Sequence, residues 1–226
     1  MSNTKTYIIT GANRGLGRGL LEALVQRPST TVIAGVRDLS SASSKSLFNT
    51  STATDSRIIP LEISSTDDLS PSQAVAALQN THGITSIDVV IANAGISQYY
   101  GKVSETPLSE VRNHFEVKTI RVLTLYQTTL PLLLKSPNPV FVAFKVALNY
   151  MVRKIHFENE KLTAFVLTPG WVQTEMGNAG ATAMGLESAP VKIEESIKGM
   201  LEKIDNATRE GTSGTLQSFD ETKYPW

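Results

Sequence analysis

The residues best suited to chemistry form a loop near the N-terminus, Thr10-Gly11-Ala12-Asn13-Arg14-Gly15-Leu16-Gly17. It follows a short β-branched run, Tyr7 to Thr10, and precedes an apolar helical pattern in Leu20, Leu21, Leu24 and Val25. Strand, glycine loop and helix in that order make a phosphate cradle. Glycines at 11, 15 and 17 remove side chains where the backbone must turn tightly and approach a pyrophosphate, and the helix starting there aims free N–H groups at the anion. Tight turns also use glycine for structural reasons alone, so the triplet needs support from elsewhere in the chain.

A second chemical choice lies at the end of the next strand-like run, Val32 to Asp38. An acidic side chain at such a strand end hydrogen-bonds a ribose hydroxyl, whereas an arginine accommodates a 2′-phosphate. Arg37, with Arg14 in support, points to NADPH. Asp38 is the competing candidate, although its place before a Ser-rich stretch also suits a cap or turn.

These residues need elements to position them. β-Branched runs recur at Tyr7 to Thr10, Thr31 to Val36, Arg57 to Leu61, Ile87 to Ala92, Val140 to Phe144 and Leu162 to Leu167, most of them separated by enough chain for a crossover helix. That rhythm predicts an α/β fold, a doubly wound, Rossmann-like parallel sheet with helices on both faces. Apolar residues at three- and four-residue spacing predict one long helix over about Leu108 to Leu134, as core or as dimer surface. Further helices are expected over Val146 to Phe157 and Ile193 to Ile204, the latter with Glu194 and Glu195 early and Lys203 late, as the helix dipole favours. Asp38 to Ser56 is crowded with Ser and Thr and reads as a solvated connection with at most a weak helix.

Composition narrows the partners. At 226 residues with no interdomain linker, one domain spanning 1–226 is expected. Twenty-one Lys and Arg balance twenty-one Asp and Glu, so no summed positive field favours nucleic acid or an anionic membrane. A small-molecule partner fits better. The polar start, Met1 to Lys5, and the lack of an apolar run of roughly 18 residues predict a cytoplasmic protein with no membrane partner. Cysteine is absent, which excludes disulfides and thiolate chemistry. His82, His114 and His156 lack metal-site spacing, so no metal is expected.

The spacing Gly-x-x-x-Gly-x-Gly after Thr resembles the cofactor loop of short-chain dehydrogenases/reductases. Ala92-Asn93-Ala94-Gly95 resembles that family's Asn-Asn-Ala-Gly motif, and Thr168-Pro169-Gly170-Trp171-Val172-Gln173-Thr174 its Pro-Gly-x-x-x-Thr segment. The likeness extends over nearly the whole chain. Within the family it is to fungal ketoreductases related to norsolorinic acid ketoreductase, through Asn149 to Glu160 and the ending from Thr212 to Trp226. The resemblance implies that Leu16 lies along the pyrophosphate, Asn93 beside the adenosine ribose, Glu62 near adenine, and Val172 and Thr174 at the nicotinamide carboxamide. It also implies a ketone or alcohol substrate, specifically ketones on aromatic polyketides, and a homodimer or homotetramer.

The pattern breaks in the catalytic half. The family uses a Tyr-x-x-x-Lys pair and an upstream Ser: tyrosine gives the proton, lysine lowers its pKa, and serine polarises the carbonyl. Here Pro139 to Phe144 runs directly into Lys145-Val146-Ala147-Leu148-Asn149, which resembles the stretch starting at the family lysine. The loop after the fifth strand is missing, and four residues before Lys145 stands Phe141, which has no proton to give. Lys145 is the one catalytic residue the resemblance leaves, with a role at the cofactor ribose. Tyr150 lies on the wrong side of it and reads as a core or interface residue. Lys118 occupies the position of the family's proton-relay Asn. Strand-to-helix connections usually take 2 to 6 residues and this one has none, so the strand end or the first helical turn must unwind. The resemblance, with its break at Lys145, implies an NADPH-dependent ketoreductase with impaired activity, or alternatively a non-catalytic dinucleotide-binding or interaction protein.

Overall fold

A computed structural model describes residues 4–64, 69–144 and 148–223. The β-branched runs become strands β1 (Lys5–Thr10), β2 (Thr30–Val36), β3 (Arg57–Glu62), β4 (Val89–Ala92), β5 (Val140–Ala143) and β6 (Thr163–Thr168). A short β7 (Leu216–Ser218) completes a seven-stranded sheet with parallel pairings and the order β3-β2-β1-β4-β5-β6-β7. The order reverses at β1, so a crevice opens beyond the carboxyl ends of β1 and β4.

The helices are α1 (Gly15–Val25), α2 (Ala42–Lys45), α3 (Ser70–Asn80), α4 (Leu108–Phe115), α5 (Arg121–Leu133), α6 (Asn149–Glu158), α7 (Glu175–Ala183) and α8 (Ile193–Asp205). Successive strand side chains point to opposite faces, so each face carries its own core. Tyr7, Ile9 and Val32 pack with Leu20 and Leu24 of α1 and Met200 and Ile204 of α8. Ile8, Ile33 and Val90 pack with Val122 and Leu125 of α5 and Val152 and Ile155 of α6. Every residue of β2 is buried, as expected of a strand covered on both faces.

Several elements differ from the sequence expectation. The helix over 108–134 is divided by a π turn at Glu116–Ile120, where the Arg121 N–H donates to the Glu116 carbonyl five residues back. The two halves also differ in environment. α4 has no buried residue, whereas Val122, Leu125, Tyr126, Thr129, Leu132 and Leu133 of α5 are buried. The Ser-rich connection forms α2 and a 3₁₀ turn at Ser46–Asn49. It is not wholly solvated, because Ser44 and Leu47 are buried. α3, α7 and β7 were not signalled by periodicity: α3 and α7 are rich in small residues, and β7 has three residues with two polar side chains.

At the seam, β5 ends at Ala143, and the described part of the following helix begins at Asn149; the expected start at Val146 lies outside the described residues. Leu148 occupies the N-cap position without a side-chain cap. On the strand side Phe144, expected to belong to the strand, falls outside β5. Lys145, Val146 and Ala147 lie outside the described residues, as do Tyr224, Pro225 and Trp226.

Candidate dinucleotide site

β1 delivers the glycine loop to the crevice. Gly11 sits at φ +67°, a left-handed conformation that costs a side-chain-bearing residue roughly 1–2 kcal/mol. Gly17 is the tightest contact: a Cβ there would stand 2.2 Å from the Gly11 carbonyl oxygen and 2.5 Å from Asn93 Nδ2. Arg14 is the N-cap of α1 and makes no side-chain cap, and the first turn contains no acidic residue. The helix N-terminus is left with donors facing the crevice. Leu16 is half-buried and packs against the core beneath the loop.

Asn13 donates to Ser43 Oγ at 2.8 Å, tying the loop to α2. Arg14 forms an ion pair with Glu175 at 3.2 Å, and with both side chains exposed this contributes little to stability. It does link the first loop to the start of α7 across the crevice mouth.

Arg37 and Asp38 leave β2 side by side, both exposed. Asp38 accepts hydrogen bonds from the Ser40 hydroxyl at 2.6 Å and the Ser40 N–H at 2.7 Å. These bonds, the hydroxyl's first, hold its carboxyl below the usual carboxylate range, with Lys45 and Arg37 assisting. Asp38 is therefore a turn residue. No hydrogen bond from the Arg37 guanidinium is found among the described residues. Glu62, at the end of β3 and in register with Val36, is also exposed.

Asn93 directly follows β4, and its amide donates to the Thr10 carbonyl at 2.8 Å. The Ala94 N–H donates to Thr10 Oγ1 at 3.0 Å. The side chain expected beside a ribose thus also fixes the glycine loop from behind. On the far wall, Val172 is buried and forms a parallel bridge to Val191. Thr174 caps α7, its hydroxyl accepting from the Gly177 N–H at 3.1 Å, and its Cγ2 lies 3.6 Å from where a Gly15 Cβ would stand. Gly11, Asn13, Arg14, Gly15, Leu16, Gly17, Arg37, Asn93, Val172 and Thr174 therefore gather on one edge of the sheet, with Glu62 at its outer end. Lys145 lies outside the described residues.

Sequence reading missed a cavity of about 30 Å³ beside Thr10 and Ala94. Ile63 and Ser64 line it from the end of β3, and Val117 and Arg121 from the helix side. The four-residue spacing of Val117 and Arg121 was legible, but a single charged residue in an apolar period does not announce a wall.

The catalytic half has a different character. Phe141 is a core residue of β5, 1% exposed, paired with Val90 and Ala164 and packed edge-on to Tyr126 at 5.3 Å. Tyr150 is 74% exposed on α6, which places it on the surface and removes the core alternative of its two readings, core or interface. Lys118 sits in the π turn with Nζ 3.5 Å from His114 Nδ1, and burial pushes its ammonium below the ordinary lysine range.

A family described as short chain dehydrogenase matches residues 5–142, a match that stops inside β5. Norsolorinic acid ketoreductase nor1 of Dothistroma septosporum is 38% identical, over 100% of this chain and 94% of its own length. Norsolorinic acid ketoreductase of Aspergillus parasiticus is 37% identical, over 97% of this chain and 90% of its own. The first alignment runs to 252 positions against the 226 residues of this chain, so the relative holds residues that this chain lacks. NADPH-bound carbonyl reductase from chicken fatty liver shares the fold with a TM-score of 0.83 at 23% identity, covering 99% of this chain and 100% of that one.

Proposed function

Because the chain belongs to the short-chain dehydrogenase family, a family of oxidoreductases, we propose that it is an NADPH-binding ketoreductase by descent, with turnover impaired by loss of its proton-donating segment. The observation that carries the reading is a complete phosphate cradle beside a catalytic strand whose position four residues before Lys145 is a buried phenylalanine.

The residues present fit a nicotinamide dinucleotide. Gly17 lets the loop close tightly on the Gly11 carbonyl and the Asn93 amide, where a side chain would not fit, and the α1 N-terminus supplies donors without a competing cap. Gly11 to Gly17 hold the pyrophosphate, Arg37 with Arg14 the 2′-phosphate, and Asn93 fixes the loop. Glu62 stands toward adenine, Val172 and Thr174 stand at the nicotinamide side, and Lys145 serves the ribose. When bound, the nicotinamide supplies hydride to a carbonyl carbon. The chain's own task is to orient the ketone and deliver a proton to its oxygen, and Phe141 and surface-exposed Tyr150 are not placed to deliver it. The substrate class is a ketone on an aromatic polyketide, in line with the norsolorinic acid ketoreductases it is similar to.

Calorimetric titration of NADPH and NADH, with a steady-state assay on an aromatic ketone, tests this. Saturable binding with NADPH preferred and turnover far below that of intact relatives is the expected result. Turnover equal to theirs would refute impairment.

A second reading, a non-catalytic dinucleotide-binding protein that pairs with a partner or a second copy, has its own observation. Leu108, Val111 and Phe115 on α4 and Tyr150 and Phe157 on α6 are exposed. Tight NADPH binding that persists without turnover after a Ser/Tyr loop is reinserted would favour it.

A further inference from the structure

Three consecutive residues in the first turn of α7 are each held by a different side chain. Glu175 pairs with Arg14 of the glycine loop at 3.2 Å, the Met176 carbonyl accepts from the Tyr100 hydroxyl at 3.2 Å, and the Gly177 carbonyl accepts from Trp171 Nε1 at 2.9 Å. Tyr100 belongs to the segment that leaves β4, whereas α7 follows β6, and β5 lies between those strands in the sheet. The Tyr100 bond therefore joins the walls on either side of β5. Gly180 lets the ring come close, since a Cβ there would stand 3.3 Å from Tyr100 Cε1. Behind the ring, the Asn113 amide donates to Gln98 Oε1 at 2.9 Å and ties the Tyr100 loop to α4.

Together these contacts close a ring around the crevice mouth. Thr10 is bonded to Asn93 and Ala94, Tyr100 to Met176 and Glu175 to Arg14, and Thr174 lies against Gly15. The links at Thr10 are partly buried, whereas those at Tyr100 and Arg14 are exposed and weak, so the ring parts most readily on the α7 side. The Tyr100 hydroxyl has one proton and a second acceptor at hand, the Ser97 carbonyl of its own loop at 3.3 Å. Releasing Met176 leaves that bond available, which is what a reversible fastening needs. We propose that Tyr100 is a positioning residue that straps α7 across the nicotinamide end of the crevice, and that the strap opens each time NADPH enters or leaves. The proposal rests on the dinucleotide reading, which puts Val172 and Thr174 beside the nicotinamide. Arg37 and Glu62, at the ends of β2 and β3, lie on the other side of β1, so a ligand confined to the adenosine end does not pass the strap.

The test measures association and dissociation rates of NADPH and of 2′,5′-ADP, which has the adenosine end and no nicotinamide, by surface plasmon resonance on the full-length chain and on Tyr100→Phe. That variant keeps the ring and removes the donor, and the ligand-free unfolding midpoint checks its fold. Tyr100→Phe is expected to raise both NADPH rates about three- to fivefold, as loss of one exposed hydrogen bond allows. Because the strap closes over free and bound protein alike, the two rates rise together and the dissociation constant stays nearly unchanged. The rates for 2′,5′-ADP are expected to stay as they are. NADPH rates that do not change overturn the proposal. Equal acceleration of both ligands, or a lowered midpoint with both ligands weakened, also overturns it, since Tyr100 would then only support the fold. If the wild-type chain takes 2′,5′-ADP but no NADPH, NADPH binding gained by Tyr100→Phe supports the strap and its continued absence overturns it. A wild-type chain that binds neither ligand fails the dinucleotide reading itself and the strap with it, a result distinct from any of these.

Discussion

Arg37 and Asp38 are neighbours at one strand end, and their surroundings give them different work. Asp38 is committed to Ser40, whereas Arg37 is exposed. Arg37→Ala is expected to lower the NADPH-to-NADH affinity ratio about tenfold, with the unfolding midpoint unchanged, as paired titrations would show. Gly17→Ala puts a methyl group 2.2 Å from a backbone oxygen, a contact only a shift of the loop or helix can relieve. Loss of NADPH binding by tenfold or more is expected by calorimetry, together with a lower unfolding midpoint. Lys118 gives a pH signature. Burial depresses its folded-state pKa below the ordinary 10.5, so the stability linked to it is greatest above that value and is lost as pH falls toward neutrality. Lys118→Met is expected to raise the midpoint at pH 7 and to flatten its climb toward pH 10, measured by thermal melts across that range.

Among elements, the junction of β5 and α6 carries the functional question. Inserting a loop with a Ser and a Tyr four residues before Lys145 is expected to raise both turnover and thermal stability, because the connection regains ordinary length. Phe141→Tyr alone is expected to give no turnover and to cost about 1–3 kcal/mol in denaturant unfolding, since it buries a hydroxyl in a packed core. Much of this was legible in the chain. β-Branched runs marked six strands because a buried parallel strand is apolar along its whole length, as β2 is. The glycine loop was legible because its spacing reflects a close approach that the fold enforces at Gly17. The π turn was not, since apolar spacing runs through it with little change and the extra residue shows only in the backbone bonding. β7 was hidden because Leu216–Ser218 owes its strand conformation to pairing with β6 rather than to its own side chains.

For the molecule as a whole, ligand and fold are linked. A dinucleotide at a hundred times its dissociation constant adds about 2.7 kcal/mol of stability. For a chain of this size that corresponds to a rise of roughly 5–10 °C in the unfolding midpoint, which a thermal melt with and without NADPH would register. The sheet order gives that link a direction in time. β1 stands in the middle and takes β2 and β4 as its neighbours, so residues 5–95 contain the cradle, the Arg37 strand end and the Asn93 clasp before the seam has been made. A ribosome adding roughly 5–20 residues per second gives this half several seconds of head start. The glycine loop, the Arg37 strand end and Asn93 can thus assemble on the nascent chain without the junction at residue 144, and a defect there is met late, by a sheet already half built.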